Sequence, residues 1–297
     1  MTPEVLALGE TMLSLVAVGV PLAEATELHV TIGGAESNTC VGLVRLGVSA
    51  AWVSRLGTDP AGYRVAHDLE RAGVDLRWVR RDAERPTGLM LRETSGAPAR
   101  YVRSGSAASV LSPADLDEAP VEDCGAVLVT GITAMLGEAP AEAALALLER
   151  ARGLRVVDPN LRAGLWGSGR ERELVLPLVE RADIVLAGAR ELEALLGEED
   201  DDRALAERCA MRGAREVIVK RGADGAGALG PDGSWLEVPG PVVEEVDPVG
   251  AGDAFNAGYL AARLRDLPIA EALERATRCG AAAAASLGDI GWIGGTG

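Results

Sequence analysis

The stretch Asp247-Pro248-Val249-Gly250-Ala251-Gly252-Asp253-Ala254-Phe255 constrains this chain more than any other. Asp247 precedes a proline, which pushes it out of helical backbone and ends an extended run. Gly250 and Gly252 allow a tight turn with no side chain in the way. From Asp253 onward, Ala254, Ala257, Leu260, Ala261, Ala262 and Leu264 predict a helix that is apolar over most of its surface. The stretch therefore reads as strand, glycine turn, helix N-terminus. Such a terminus carries about half a positive charge and several unpaired N–H groups, and bare glycines leave those donors open to an anion. Asp253 can take a proton from a hydroxyl while the amides of Gly250, Ala251 and Gly252 hold the developing charge. That pairing suits phosphoryl transfer to an alcohol. The plainer alternative is an N-capping aspartate after a loop.

The rest of the chain supplies a scaffold for that turn. Val5–Leu8 reads as a buried strand, followed by strands over Met12–Val18 and Leu28–Ile32. Gly33-Gly34 opens a helix from Ala35 to Leu46, stopped by Gly47. A strand at Ala51–Ser54 and a helix at Pro60–Ala72 continue the alternation, which predicts a mostly parallel sheet with helices on both faces. Gly88–Glu93 and Arg100–Arg103 break the rhythm as a hairpin around Ser95-Gly96-Ala97-Pro98. With the strands over 12–18 and 28–32 they predict a small separate sheet, a lid over one edge of the main one. The alternative is an antiparallel extension of the main sheet. Strands then follow at Ala126–Val129, Val156–Asp158, Ile184–Leu186, Glu216–Val219, Ala226–Leu229 and Ser234–Val238. Helices are predicted at Ala141–Ala151, Glu171–Arg181, Arg190–Leu196, Asp202–Met211 and Ile269–Ser286, with an unstructured tail from Gly288.

The chain has 297 residues and a formal net charge of −16, which argues against nucleic acid or an anionic membrane as partner. No run approaches the roughly 20 apolar residues of a spanning helix, and Met1-Thr2-Pro3-Glu4 lacks the basic start of a signal peptide. A cytoplasmic location is expected. Cys40, Cys124, Cys209 and Cys279 show no CxxC spacing, and with His29 and His67 alone a structural zinc site is not expected. Gly225-Ala226-Gly227-Ala228-Leu229-Gly230 matches GxGxxG, but it falls among short strands and not in a βαβ unit, so a dinucleotide site is not inferred. A GxxxxGK[ST] loop is absent, which leaves the Gly250–Gly252 turn as the best holder of phosphate.

The whole string from Asp247 to Phe255 resembles the C-terminal signature of the ribokinase (PfkB) family of sugar kinases. Gly33-Gly34-Ala35-Glu36-Ser37-Asn38, running on to Gly47, resembles that family's N-terminal signature and stands upstream in the right order. The resemblance spans essentially the whole chain. It implies one ribokinase-like domain over 1–297: a three-layer α/β/α sandwich with a mostly parallel central sheet. Its small β lid would come from about 12–32 and 87–104. It also implies ATP and Mg²⁺. Gly33, Gly34 and Asn38 would contact sugar hydroxyls. Asn160, Lys220, Gly222 and Gly225, with Gly250 and Gly252, would line the nucleotide cleft. Glu191 would organise the metal through water; the family commonly has an Asn three residues earlier, where this chain has Gly188. A Mg²⁺ held by waters and phosphates needs few protein ligands.

Tyr101-Val102-Arg103-Ser104-Gly105-Ser106-Ala107 resembles the Tyr-x-Arg-x-Gly-Ser-Ala pattern of 2-keto-3-deoxygluconate kinases. The resemblance places Tyr101, Arg103, Arg162 and Asp289 at the substrate, with Met90 where a lid tyrosine is common. Two arginines facing a sugar site suit an acidic sugar, because a guanidinium grips a carboxylate with two parallel bonds. The implied reaction moves the γ-phosphoryl of ATP to the C6 hydroxyl of 2-keto-3-deoxygluconate. A fructokinase-like or other hexose kinase is the alternative within the class. A non-catalytic sugar-binding regulator and an NAD-dependent oxidoreductase are the alternatives outside it. The exposed edges of the lid sheet lead us to expect a homo-oligomer, a dimer through the lids.

Overall fold

Val5–Leu8 (β1) is fully buried, with Val5 and Ala7 in one core layer and Leu6 and Leu8 in the other. A strand buried on both faces belongs inside a parallel sheet covered by helices on each side. The computed structural model describes residues 1–94, 97–161, 169–197 and 200–290. After β1 come Met12–Ala17 (β2), His29–Gly33 (β3), helix Ala35–Arg45 (α1), Ala50–Gly57 (β4) and helix Pro60–Arg71 (α2). Asp59 starts α2 by accepting the Gly62 N–H at 2.7 Å, with Pro60 in the first turn, where its missing N–H is not needed. Val79–Asp82 (β5), Leu89–Glu93 (β6), Arg100–Val102 (β7) and Ala126–Thr130 (β8) precede helices Gly131–Ala134 (α3) and Glu138–Arg150 (α4). Leu154–Asp158 (β9) leads to Glu171–Leu174 (α5), Leu176–Val179 (α6), Ile184–Gly188 (β10), Ala189–Leu196 (α7) and Asp202–Ala210 (α8). Glu216–Lys220 (β11), Ala226–Leu229 (β12), Trp235–Val238 (β13), Ala251–Arg263 (α9) and Ile269–Ala284 (α10) complete the order.

Nine strands form the central sheet in the order β13-β12-β11-β10-β9-β8-β1-β4-β5. Every pairing from β11 to β5 is parallel, and β12 and β13 add antiparallel strands at one end. Leu147 and Leu148 of α4, Leu192 of α7 and Leu205 of α8 pack on one face. Val41 and Leu43 of α1, Phe255 and Leu260 of α9 and Leu273 of α10 pack on the other. The result is the expected three-layer α/β/α sandwich. A second sheet of four strands, β3-β2-β6-β7, is hydrogen-bonded separately from the first, so the reading as an extension of the main sheet does not hold. The turn at Ser95-Gly96, Arg162, and the tail from residue 291 lie outside the described residues.

Three expectations are corrected. The helix predicted over Glu171–Arg181 is two short ones, α5 and α6, parted at Val175, because Pro177 cannot donate to the preceding turn. The helix predicted from Ala141 begins at Glu138, since Pro140 sits in a first turn that needs no N–H from it. Residues 288–290 are not loose: Asp289 is 3% exposed. Strand β5, Val-Arg-Arg-Asp, was missed because its charges suit a sheet edge and hide its period.

Candidate active site

The carboxyl ends of the parallel strands converge on the turn before α9, where open α/β sheets bind ligands. Asp247 folds that turn by accepting the Val249 N–H at 3.2 Å and the Gly288 N–H at 3.0 Å. Gly250 has φ +85°, and a Cβ there would lie 2.5 Å from the Asp289 carbonyl oxygen, so only glycine fits. The Ala251 N–H already donates to Pro248 at 3.2 Å, which removes that amide from the expected anion cradle. Gly252 faces open space, with Lys220 Nζ the nearest atom to a Cβ at 3.8 Å. Its first-turn amide is one that the helix itself cannot pair.

On one side of this turn lies a cavity of about 240 Å³ that holds Asp253 together with Gly33, Gly34 and Asn38. A Cβ on Gly33 would lie 2.5 Å from Asp289 Oδ2, and one on Gly34 2.3 Å from the Glu10 carbonyl. Gly34 leaves room for the passing backbone of Glu10, and Gly33 leaves room for the side chains of Asp289 and Met90. Asn38 Nδ2 donates to Asp253 Oδ2 at 2.8 Å, so this side chain fixes the carboxylate, while its own Oδ1 is buried without a hydrogen-bond partner. Met90, Tyr101, Arg103 and Asp289 line the same cavity. Arg103 meets Glu10 at 2.5 Å, and its Nε and Nη2 have no well-aligned acceptor. Ser106 Oγ donates to the other Glu10 oxygen at 2.6 Å. Arg103 thus has a counter-ion within the protein, as a buried guanidinium requires. Asp289 is likewise engaged, by Arg92 at 3.0 Å. Burial, with Asp247 beside it, holds the Asp289 carboxyl above the usual range against the pull of Arg92.

On the other side lies a cavity of about 500 Å³ between the β11 end and α10, lined by Lys220, Gly222, Gly225 and Gly252, with Ala281 and Ala284 along one wall. Gly222 and Gly225 have φ of +60° and +96°. Lys220 Nζ donates to Asp158 Oδ2 at 2.9 Å. Burial alone would depress the lysine, but Asp158 and Glu191 more than offset it and hold its pKa above the usual range. Asn160, at φ +44°, turns inward on Asp158, its amide N–H 2.8 Å from Oδ1. Glu191 accepts the Leu161 N–H and the Gly188 N–H, each at 2.7 Å, and so caps α7. Gly188 has ordinary extended backbone at φ −84°, with nothing closer than 3.7 Å to a Cβ there. The GxGxxG match falls on antiparallel β12, outside any βαβ unit. Among the described residues no three acidic, histidine or cysteine side chains gather as a metal cage. The donor set fits a cation carried on phosphates, with Glu191 and Asp158 as the nearby anionic wall.

Residues 2–292 match the pfkB carbohydrate kinase family. The chain belongs to that family. It is 35% identical to the 2-dehydro-3-deoxygalactonokinase of Haloferax volcanii, over 92% of this chain and 88% of that one. It is 33% identical to the 2-dehydro-3-deoxygluconokinase of Bacillus subtilis (91% and 85% covered) and to Fructokinase-1 of rice, Oryza sativa subsp. japonica (96% and 93%). The solved structure of a putative ribokinase II from E. coli in complex with ATP and Mg²⁺ superposes with a TM-score of 0.90 at 26% identity, covering 98% and 96% of the two chains. This pfkB kinase is thus a carbohydrate kinase with the ribokinase-like fold. No helix among its described residues is long and apolar enough to cross a membrane.

Sequence reading missed Glu10, Arg92, Asp158 and Asn256, whose Nδ2 donates to Asp158 Oδ2 at 2.6 Å. Glu10 and Asp158 lie at or just past the carboxyl ends of β1 and β9, and the rule for parallel sheets could have flagged both. Arg92 gave no signal, since an arginine on a short strand reads as a surface residue.

Proposed function

We propose that this kinase transfers the γ-phosphoryl of ATP to the C6 hydroxyl of 2-keto-3-deoxygluconate. The observation that carries the reading is Asp253 in the wall of the first cavity, directly after Gly252, which lines the second. The acceptor sits in the first, its hydroxyl against Asp253, which takes the proton as the new O–P bond forms. Asn38 holds the carboxylate in line. ATP sits in the second, its phosphates reaching Gly252 and Lys220, whose amide and ammonium stabilise charge on the transferring group. Bound Mg²⁺ would neutralise charge on the nucleotide phosphates, and Glu191 and Asp158 are the side chains that would hold its waters. The second sheet acts as a lid that excludes water, the competing acceptor. Arg103, kept in the cavity by Glu10, presents its remaining N–H groups to the substrate carboxylate, and Tyr101, Asp289 and Arg162 complete the sugar contacts. A cytoplasmic dimer through the lids completes the proposal; a monomer in a sizing experiment counts against its assembly part.

The Arg103–Glu10 pair also supports a second reading, a neutral ketohexose such as fructose, because Glu10 cancels the charge that an acid would seek. A panel of keto-deoxy acids and neutral hexoses, assayed with ATP, decides between them. Higher kcat/KM on the acids supports the first reading, and higher kcat/KM on fructose overturns it.

A further inference from the structure

Arg92 projects from β6 of the second sheet into a buried anionic cluster. Its Nη1 and Nη2 donate to the two Asp247 oxygens at 3.1 and 2.8 Å, and Nη2 also donates to Asp289 Oδ1 at 3.0 Å. The three side chains are 3%, 1% and 4% exposed. Asp247 in turn takes the Val249 and Gly288 amides. Asp289 packs against both functional glycines: its carbonyl lies under Gly250, and its Oδ2 lies against Gly33. One guanidinium therefore indexes three segments at once. They are the second sheet, the turn that opens α9 three residues before Asp253, and the loop that sets the Gly33 side of the acceptor cavity.

Stability is a weak reason for such a cluster, because buried ion groups often contribute no more than apolar side chains of equal volume. Fixed geometry is the better one, since a misplacement of about 1 Å at a reacting centre costs on the order of 100-fold in rate. We infer that Arg92 is a positioning residue, which locks the glycine turn to the second sheet so that the phosphate site and the acceptor site share one reference point. The inference rests on the reading of Asp253 as the base.

The test is Arg92→Lys, whose ammonium keeps the charge but cannot span both carboxylates, with Asp247→Asn as a second variant should the first not fold. Turnover is counted per nucleotide-binding site by equilibrium ATP binding, on whichever sugar the wild type phosphorylates. Failure of the keto-deoxy acid assignment thus leaves this test standing. Leu147→Ala, in the far core layer, controls for plain destabilisation. The expected result is a fall of roughly 100-fold in kcat per site, with KM for sugar and ATP changed less than about threefold and the Leu147→Ala kcat per site unchanged. Wild-type kcat per site in a folded Arg92→Lys would overturn the inference. So would a change confined to sugar KM, which would make Arg92 a substrate contact, or an equal kcat loss in Leu147→Ala.

Discussion

The cavity in front of Asp253 is walled by Glu10, Arg92, Arg103 and Asp289, whereas the cavity behind Gly252 is walled largely by glycine, alanine and valine. The two share one turn. In the first, each charged group already has a partner, so its polar atoms are held still before any ligand arrives. In the second, Lys220 and Thr277 are among the few polar side chains, and Val242 is fully exposed at the rim. On the proposed reading, ATP is recognised there by shape and by backbone groups. The acceptor half should therefore respond to loss of charge, and the donor half to added bulk.

The largest effect is expected just after the shared turn. Asp253→Asn should lower kcat by roughly 10²–10⁴, the usual worth of a positioned base; near-normal turnover would remove Asp253 from that role. Next, Arg103→Ala should raise KM for the acidic acceptor roughly tenfold to a hundredfold, the span of a hydrogen bond to a charged group. An equal rise in KM for ATP would erase the contrast between the halves. Ala281→Leu should do the converse, raising KM for ATP by about tenfold through overpacking and leaving KM for sugar alone.

The smallest effect concerns the support beneath the acceptor half. Glu36 is buried behind Gly9, with Oε1 accepting from the Thr130 and Thr133 hydroxyls at 2.8 and 2.6 Å. Burial holds its pKa above the usual range, against the lowering effect of those hydroxyls. A carboxyl with a higher pKa folded than unfolded keeps its proton longer in the folded state. Stability is then lost as pH rises from the ordinary carboxylate value through the raised one. Glu36→Gln has no proton to lose, so its Tm relative to wild type should improve by a few °C between acid and neutral pH. A difference that stays flat with pH would refute the linkage.

The sheet, most helices and the glycine turn were legible because their signals are local: apolar runs, glycine stops, a proline before the turn. The place of Asp253 in the first turn of α9 was legible for the same reason. The partners of the charged residues were not. Asn38 and Asp253 are 215 residues apart, and Arg92 and Asp289 are separated by 197, distances over which periodicity carries no information. Arg103 shows the cost. Its place in the cavity followed from the Tyr-x-Arg pattern, but its neutralisation by Glu10 depends on two distant segments meeting in space. Charged stretches misled in the same way, as Val-Arg-Arg-Asp did at the sheet edge.

Position 188 offers a vacancy to the protein engineer. Its backbone suits any amino acid, and the nearest atom stands 3.7 Å from a Cβ grafted there. A Cβ fits there without moving the backbone, so an asparagine would set its amide beside Glu191 and test what that contact does to metal or nucleotide preference.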